Sequence, residues 1–200
     1  MKKMFKGLAL FLPLIFLAAC LSGKAMEVNY TVRSATALKD YTVYLLVNDQ
    51  RSSNDLVGPT ALDRGLFEEL RGGRFDLKVT MPGAREVTVT NLSVVEAVRE
   101  AASRRLQSQG VSTTDQRAAA HLTVEINIDQ LNIDLQGSDL VASVALDSLI
   151  YRDQSSVAKS NARATSNRMK LIGGAGGATV LSEALSQALN DLDFGGINRF

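Results

Sequence analysis

The feature that most restricts the fold is an alternating run of apolar residues between Leu122 and Leu135. The apolar side chains occupy even numbers in the first half of the run, and odd numbers from Leu131 onward. Successive side chains of a strand point to opposite faces, so the apolar face can change parity only where one residue is inserted. The run therefore predicts one long strand with a β-bulge or bend at Asp129–Gln130.

Further strands flank this one on both sides. Residues 136–138 predict a hairpin turn, after which Leu140–Tyr151 and Val157–Met169 predict two more strands of a meander. Leu140–Tyr151 has apolar residues on both parities, as expected of a strand that is covered on both faces for part of its length. Upstream, Tyr41–Val47 is rich in β-branched and aromatic residues and predicts a buried strand.

Two segments have the periodicity of amphipathic helices. Ser93 begins a Ser-x-x-Glu capping box, helical spacing continues to Leu106, and Gly110 is the expected left-handed cap. A second helix, with an apolar stripe over Leu181–Leu192, follows the glycine-rich stretch 173–177. This order predicts an α+β fold: a two-layer sandwich with a mainly antiparallel mixed sheet and two amphipathic helices on one face.

The first twenty residues have the layout of a bacterial export signal. Lysines precede an uncharged, mostly apolar run from Gly7 to Ala19, which ends Leu-Ala-Ala-Cys at Cys20. This ending resembles the lipobox of bacterial lipoproteins, in which the cysteine is lipidated and becomes the first mature residue. Thirteen helical residues would span roughly 20 Å, less than the roughly 30 Å core of a bilayer, which disfavours a spanning anchor. Since Cys20 is also the only cysteine, the lipoprotein interpretation is favoured over an ordinary signal peptide.

These observations predict three parts: a lipoprotein signal peptide over 1–19, a lipidated tether with a possible edge strand over 20–40, and one globular periplasmic domain over 41–200. Leu21 follows the cysteine where aspartate would favour inner-membrane retention, so by resemblance to the usual sorting pattern we expect the outer membrane. Without the three signal lysines, 19 basic residues face 21 acidic ones, a net charge of −2. We therefore expect a membrane attachment through Cys20 and no nucleic-acid partner.

No strong catalytic or metal-binding motif is present. His121 is the only histidine and is expected at a strand end, without a metal. The stretch 173–177 lacks the Lys-Ser/Thr of a P-loop, so we expect it to allow close helix–sheet approach rather than to bind phosphate. The meander carboxylates (Asp129, Asp134, Asp139 and Asp147) and the helix arginines (Arg99, Arg104 and Arg105) are expected to be solvated. The sequence predicts no enzyme activity and no cofactor.

The region between the first buried strand and the first long helix is irregular. Residues 48–55 are turn formers and predict an exposed polar loop. The connection 56–85 is broken by glycine and proline pairs, with one short helix over Leu62–Leu70 and a strand over Phe75–Val79. A connection of this length is either functional or loosely ordered.

Together, several segments resemble the YajG-like family of bacterial lipoproteins: the lipobox, Val43–Arg51, Leu106–Gly110, Ala120–Leu135 and Leu181–Leu192. The resemblance implies a periplasm-facing α/β lipoprotein domain without catalytic residues to transfer. Within it, only Asp49, Gln50 and Arg51 match a recurring motif, as candidates for binding or for turn structure.

The leading functional hypothesis is a non-catalytic, lipid-anchored accessory that binds an envelope protein or a cell-wall component, with the loop 49–55 as its candidate surface. The alternative is a carrier of lipid or another hydrophobic ligand, favoured by the two-sided apolar character of Leu140–Tyr151. An envelope hydrolase with His121 as its base is the third hypothesis.

Overall fold

The computed structural model describes residues 25–70, 72–153, 155–169 and 176–199. The signal sequence, Cys20 and the first three residues of the glycine-rich stretch lie outside these ranges.

Among the described residues, five strands form the larger sheet: β2 (Thr42–Asp49), β5 (Ser112–Thr114), β6 (Leu122–Gln136), β7 (Asp139–Arg152) and β8 (Ser155–Met169). Their spatial order is β5–β2–β6–β7–β8. Strand β2 runs parallel to β5 and β6, whereas β6, β7 and β8 form the predicted antiparallel meander.

The predicted bulge in β6 is confirmed. The register of β6 on β7 shifts between Ile128 and Gln130, and Asp129 is exposed. Ile126 on one side of the bulge and Ile133 on the other are both fully buried. The inserted residue therefore keeps one apolar face of a 15-residue strand on the core along its whole length.

Three strands of the described part of the chain form a second, smaller sheet: β1 (Glu27–Thr31), β3 (Arg74–Thr80) and β4 (Val87–Ser93). Their order is β1–β3–β4, with β1 parallel and β4 antiparallel to β3. The sequence-based expectation of a single sheet did not include this division. Val28 and Tyr30 are fully buried, so β1 belongs to the hydrophobic core.

Within the described ranges, three α-helices accompany the sheets: α1 (Pro59–Asp63), α2 (Val94–Ser108) and α3 (Gly176–Asp191). The capping box of α2 is confirmed, because Ser93 and Glu96 each accept a hydrogen bond from the other's backbone N–H. Helix α2 contacts β2 and β5 of the larger sheet and β3 and β4 of the smaller one, while α3 contacts β7, β8 and β1. Each long helix therefore packs against strands of both sheets.

The helix expected over Leu62–Leu70 is shorter than predicted. After α1 the chain continues into a single 3-10 turn at Glu68–Leu70. Between them, Gly65 and Phe67 have φ of 65° and 57°. Backbone in this left-handed region cannot continue a right-handed helix, which explains the interruption.

A polar stripe on α3 satisfies the open edge of β1. Ser182 Oγ accepts from the backbone N–H of Asn29 at 2.8 Å, and Ser186 Oγ donates to the carbonyl of the same residue at 3.2 Å. One turn further on, the Asn190 amide nitrogen donates to the Thr31 carbonyl at 2.8 Å. Three side chains at four-residue spacing thus replace a neighbouring strand, and they attach the smaller sheet to α3.

Replacing Asn190 with alanine is expected to lower the free energy of unfolding by about 1 kcal/mol, because Thr31 loses a hydrogen-bond donor. Urea denaturation measures the change. The control is Gln187→Ala on the exposed side of α3, which we expect to change stability by less than about 0.5 kcal/mol. Equal losses in both variants would contradict a specific role for the stripe.

Candidate binding cleft

Arg51 fixes the polar loop that follows β2. Its Nε and Nη2 donate to the two carboxylate oxygens of Asp49, each at 2.8 Å, in a bidentate ion pair. Nη1 donates to the Leu131 carbonyl at 3.1 Å, and Nη2 also reaches the Asn54 carbonyl at 3.3 Å. The side chain is only 6% exposed. Each guanidinium nitrogen is therefore engaged within the chain.

The ion pair also sets the charge of Asp49. The hydrogen bonds from Arg51 hold the pKa of the Asp49 carboxyl below its usual value, against a smaller opposing effect of burial. Gln50, the third residue of the motif, is exposed, and its backbone N–H donates to the Ile128 carbonyl at 3.0 Å. In this geometry Asp49 and Arg51 hold the turn against β6, one residue away from the bulge.

The segment after the loop returns to the far half of β6. The backbone N–H of Gly58 donates to the Ile133 carbonyl at 2.7 Å, and Ile133 donates to the Leu56 carbonyl at 2.8 Å. The Asp134 carboxylate accepts from the backbone N–H of Ala61 at 3.0 Å, which caps the first turn of α1. A Cβ on Gly58 would lie 2.3 Å from the Asp134 carboxyl carbon, so this close approach requires glycine.

These contacts leave an open cleft of about 450 Å³ between the 51–62 segment and β6. Its apolar part consists of Val57, Pro59, Leu62 and Leu131, and its polar side chains come from Arg51, Ser52, Ser53, Asp55, Asp129, Gln130 and Asn132. The bulge is what turns residues 129 and 130 outward to the rim. Because Arg51 is neutralised by Asp49, the carboxylates of Asp55 and Asp129 give the cleft a negative character.

His121 lies away from this cleft. Its Nδ1 accepts from the backbone N–H of Thr42 at 3.0 Å, and its own backbone N–H donates to the Thr42 carbonyl at 2.8 Å. The imidazole also meets the Tyr41 ring edge-on, with centroids 5.6 Å apart. The histidine thus extends the β2–β6 pairing at the strand entry, where it was predicted.

The meander carboxylates do not converge on one point. Asp147 pairs with Lys159 at 3.1 Å, Asp134 caps α1, and Asp129 lies on the rim of the cleft. Across the described ranges, no group of three or more His, Cys, Asp or Glu residues is placed to hold a metal ion.

The expectation of a solvated arginine face on α2 is wrong for Arg105. Arg104 pairs with Glu100 at 2.7 Å on the helix surface, but Arg105 is only 6% exposed. Its guanidinium lies over the Phe194 ring, 5.1 Å from the centroid, and burial lowers the pKa of Arg105. A long side chain with an apolar stem can enter a helix interface in this way, which charge patterning alone does not reveal.

The last two glycines of the stretch 173–177 begin α3. A Cβ on Gly177 would lie 2.3 Å from the Phe67 ring. Glycine therefore allows the Phe67 side chain to pack directly against the helix backbone.

Comparison with solved structures supports the fold in one case and gives two weaker similarities. A crystal structure of a Xanthomonas campestris protein of the family DUF330 is similar over 82% of this chain and 87% of its own, with 15% identity and a TM-score of 0.51. A lipoprotein from Neisseria meningitidis covers 70% of this chain and 92% of its own at 11% identity, with a TM-score of 0.32. The PelC dodecamer subunit of Paraburkholderia phytofirmans covers 82% and 92% at 10% identity, with a TM-score of 0.42.

No family model and no curated protein matches the sequence. Within the described residues, no helix is both long and apolar enough to span a membrane.

Replacing Asp49 with asparagine is expected to lower the free energy of unfolding at pH 7 by about 1–3 kcal/mol, because Arg51 loses a charged partner. The pKa of Asp49 is lower in the folded chain than its ordinary 3.8. Its stabilising effect is therefore full above this value and disappears as the pH falls through the folded pKa. Urea unfolding at neutral pH and near pH 2.5 measures the difference from the unaltered chain.

The control for this experiment is Asp129→Asn, which removes a carboxylate exposed on the bulge. We expect it to change stability little at either pH. A loss for Asp49→Asn that persists undiminished in acid would contradict the ion pair as its cause.

Proposed function

We propose that the chain is a non-catalytic, YajG-like lipoprotein that binds another component of the bacterial envelope through the cleft between the 51–62 segment and β6. The observation that carries the proposal is that some polar residues of the cleft form internal bonds while others line its open surface. Arg51 and Asp134 are used for internal bonds that hold the cleft in shape. The side chains of Asp129, Gln130 and Asn132 then line an open surface that combines polar groups with an apolar floor.

The arrangement of the polar groups favours binding over catalysis. The rim of the cleft offers carboxylates, which accept hydrogen bonds, and amides, which both donate and accept them. The histidine lies elsewhere, with its Nδ1 already accepting a bond from Thr42. Gln130 Nε2 donates to Asn132 Oδ1 at 3.1 Å, so two rim side chains already support each other. A mixed polar and apolar cleft of this kind suits a short segment of a protein or a cell-wall fragment.

The membrane attachment in this proposal comes from Cys20. Acylation of Cys20, with palmitate among the chains, and cleavage before this cysteine would make it a lipidated first mature residue. Several chains are needed because a single chain holds only marginally. Leu21 directs the lipoprotein to the outer membrane, with the domain facing the periplasm.

The structure offers no specific observation in favour of a lipid carrier. The apolar stripe of α3, where Leu181, Leu185 and Leu189 are fully buried, already covers the core face of β7, where Leu146 is fully buried. On the opposite face of β7, Val141 and Ala145 are buried, and Leu149 and Tyr151 are half-buried. We therefore retain the binding module as the proposed function.

Replacing Cys20 with serine is expected to abolish incorporation of an alkyne-labelled palmitate and to move the protein from the membrane to the soluble periplasmic fraction. Leu21→Asp is the matched variant, because it keeps the lipid and is expected to shift the protein to the inner membrane. Metabolic labelling and sucrose-gradient fractionation measure both effects. Unchanged labelling of the Cys20→Ser protein would rule out this cysteine as the anchor.

A photocrosslinking residue at Gln130 is expected to capture one specific envelope partner in intact cells, identified by mass spectrometry. Adding Asp129→Lys should reduce the yield by about fivefold or more, because one charge contact in a binding site contributes on the order of 1 kcal/mol. The control carries the crosslinker at Arg117, in an exposed turn away from the cleft. Equal capture from both positions, or no capture from Gln130, would contradict the proposed binding cleft.

A further inference from the structure

Strand β8 leaves one edge of the larger sheet open. Among the described residues it pairs only with β7, and this pairing is unbroken from Ala158 to Met169. The strand has no proline and is 15 residues long. A strand of this kind presents a row of unpaired backbone N–H and C=O groups to the surroundings, which another extended chain can pair with.

A groove of about 530 Å³ lies where β8 and β1 face each other across α3. Thr165 and Ser166 of β8 form one wall, Asn29 and Thr31 of β1 the other, and Glu183 and Gln187 are among the α3 residues that line it. Since the polar stripe of α3 already satisfies β1, the backbone edge that stays open at this groove is that of β8. An added strand on β8 would therefore have room for its inward-facing side chains over α3.

The charges of β8 select the kind of strand that fits. The strand carries Lys159, Arg163 and Arg168 and no acidic residue. Lys159 is paired with Asp147 at 3.1 Å, and Arg168 with Glu183. Arg163 is exposed, and its cross-strand neighbour on β7 is the uncharged Ala145.

This charge pattern opposes the association of two β8 strands. An antiparallel edge-to-edge pairing of two copies centred on Arg163 would place the two Arg163 side chains opposite each other, and like charges in opposed strands are destabilising. An acidic extended segment would instead bring carboxylates to Arg163, so the same charges exclude one partner and favour another.

We propose that β8 accepts an extended, acidic segment of a partner protein as an additional strand of the larger sheet. Backbone pairing along β8 supplies the affinity, and Arg163 supplies the preference for acidic sequences. The groove over α3 receives the side chains that point inward. The groove and the cleft beside β6 share no lining residue, so the proposal does not depend on the function assigned to that cleft.

The test uses the full mature chain in detergent micelles and a fluorescein-labelled decapeptide of alternating threonine and glutamate. Fluorescence anisotropy measures the affinity of this peptide for the chain and compares it with that of a threonine–lysine peptide of the same length. Hydrogen exchange with mass spectrometry shows where the peptide binds. We expect the acidic peptide to bind about tenfold or more tightly than the basic one, and to slow amide exchange over residues 158–169.

The matched variants change Arg163 and a basic residue elsewhere. Arg163→Glu is expected to weaken binding of the acidic peptide about fivefold or more. Arg117→Glu, with the same change in charge, should leave the affinity of that peptide unchanged. Arg163→Gln removes the charge without reversing it and keeps a polar side chain at this exposed position. Its affinity for the acidic peptide should lie between those of the unaltered chain and Arg163→Glu. Equal affinity for both peptides, protection outside β8, or no binding of either peptide would overturn the proposal. Concentration-dependent dimers that dissociate in Arg163→Glu would overturn it as well, because a second copy would then be the occupant.

Discussion

The bidentate pair between Arg51 and Asp49 is the interaction on which the proposed binding cleft depends. It holds the end of β2 in a turn, and the same guanidinium reaches the carbonyl of Leu131 just beyond the β6 bulge. Two irregular features, a polar loop and an inserted residue, are thereby joined at one point. The side chains of Asp129 and Gln130 face outward there because the strand changes parity at that point, and the cleft opens between them and the returning 56–62 segment.

The rest of the fold supplies a rigid base for this arrangement. Helices α2 and α3 each contact both sheets, so the smaller sheet is packed through the helices onto the larger one. On α3, an apolar stripe covers the larger sheet while Ser182, Ser186 and Asn190 bond to the backbone of β1. One helix thus buries hydrophobic surface on one side and satisfies a strand edge on the other. The corresponding edge of β8 has no such cover among the described residues, and this difference underlies its assignment as a docking strand.

Much of the local structure was predictable because it follows from short-range rules. The change of parity required a bulge, the Ser-x-x-Glu spacing gave the cap of α2, and Gly110 adopts the left-handed conformation, with φ of 88°. The division into two sheets was not predictable in this way, since strand pairing depends on long-range packing that periodicity does not encode. The burial of Arg105 was missed for the same reason, because it requires the ring of Phe194, 89 positions further along the chain.

The candidate site was predictable only in part. The turn-forming composition located the loop 49–55, and the resemblance to lipoproteins singled out Asp49, Gln50 and Arg51. Nothing in the residue pattern indicated that Arg51 would bond across to β6, or that Asp134 would cap α1 next to Gly58. The rim residues Gln130 and Asn132 could have been found from the bulge itself, because an inserted residue often redirects neighbouring side chains at a functional surface.

The most direct test of this account is hydrogen exchange of the 52–58 backbone in Arg51→Lys compared with the unaltered chain. Lysine keeps the charge but cannot form the bidentate pair and the two carbonyl bonds together. The account predicts exchange about tenfold or more faster over 52–58 in the variant, with the β6–β7 pairing unchanged. Identical exchange over 52–58 in both proteins would show that the cleft keeps its shape without Arg51 and would contradict the central claim.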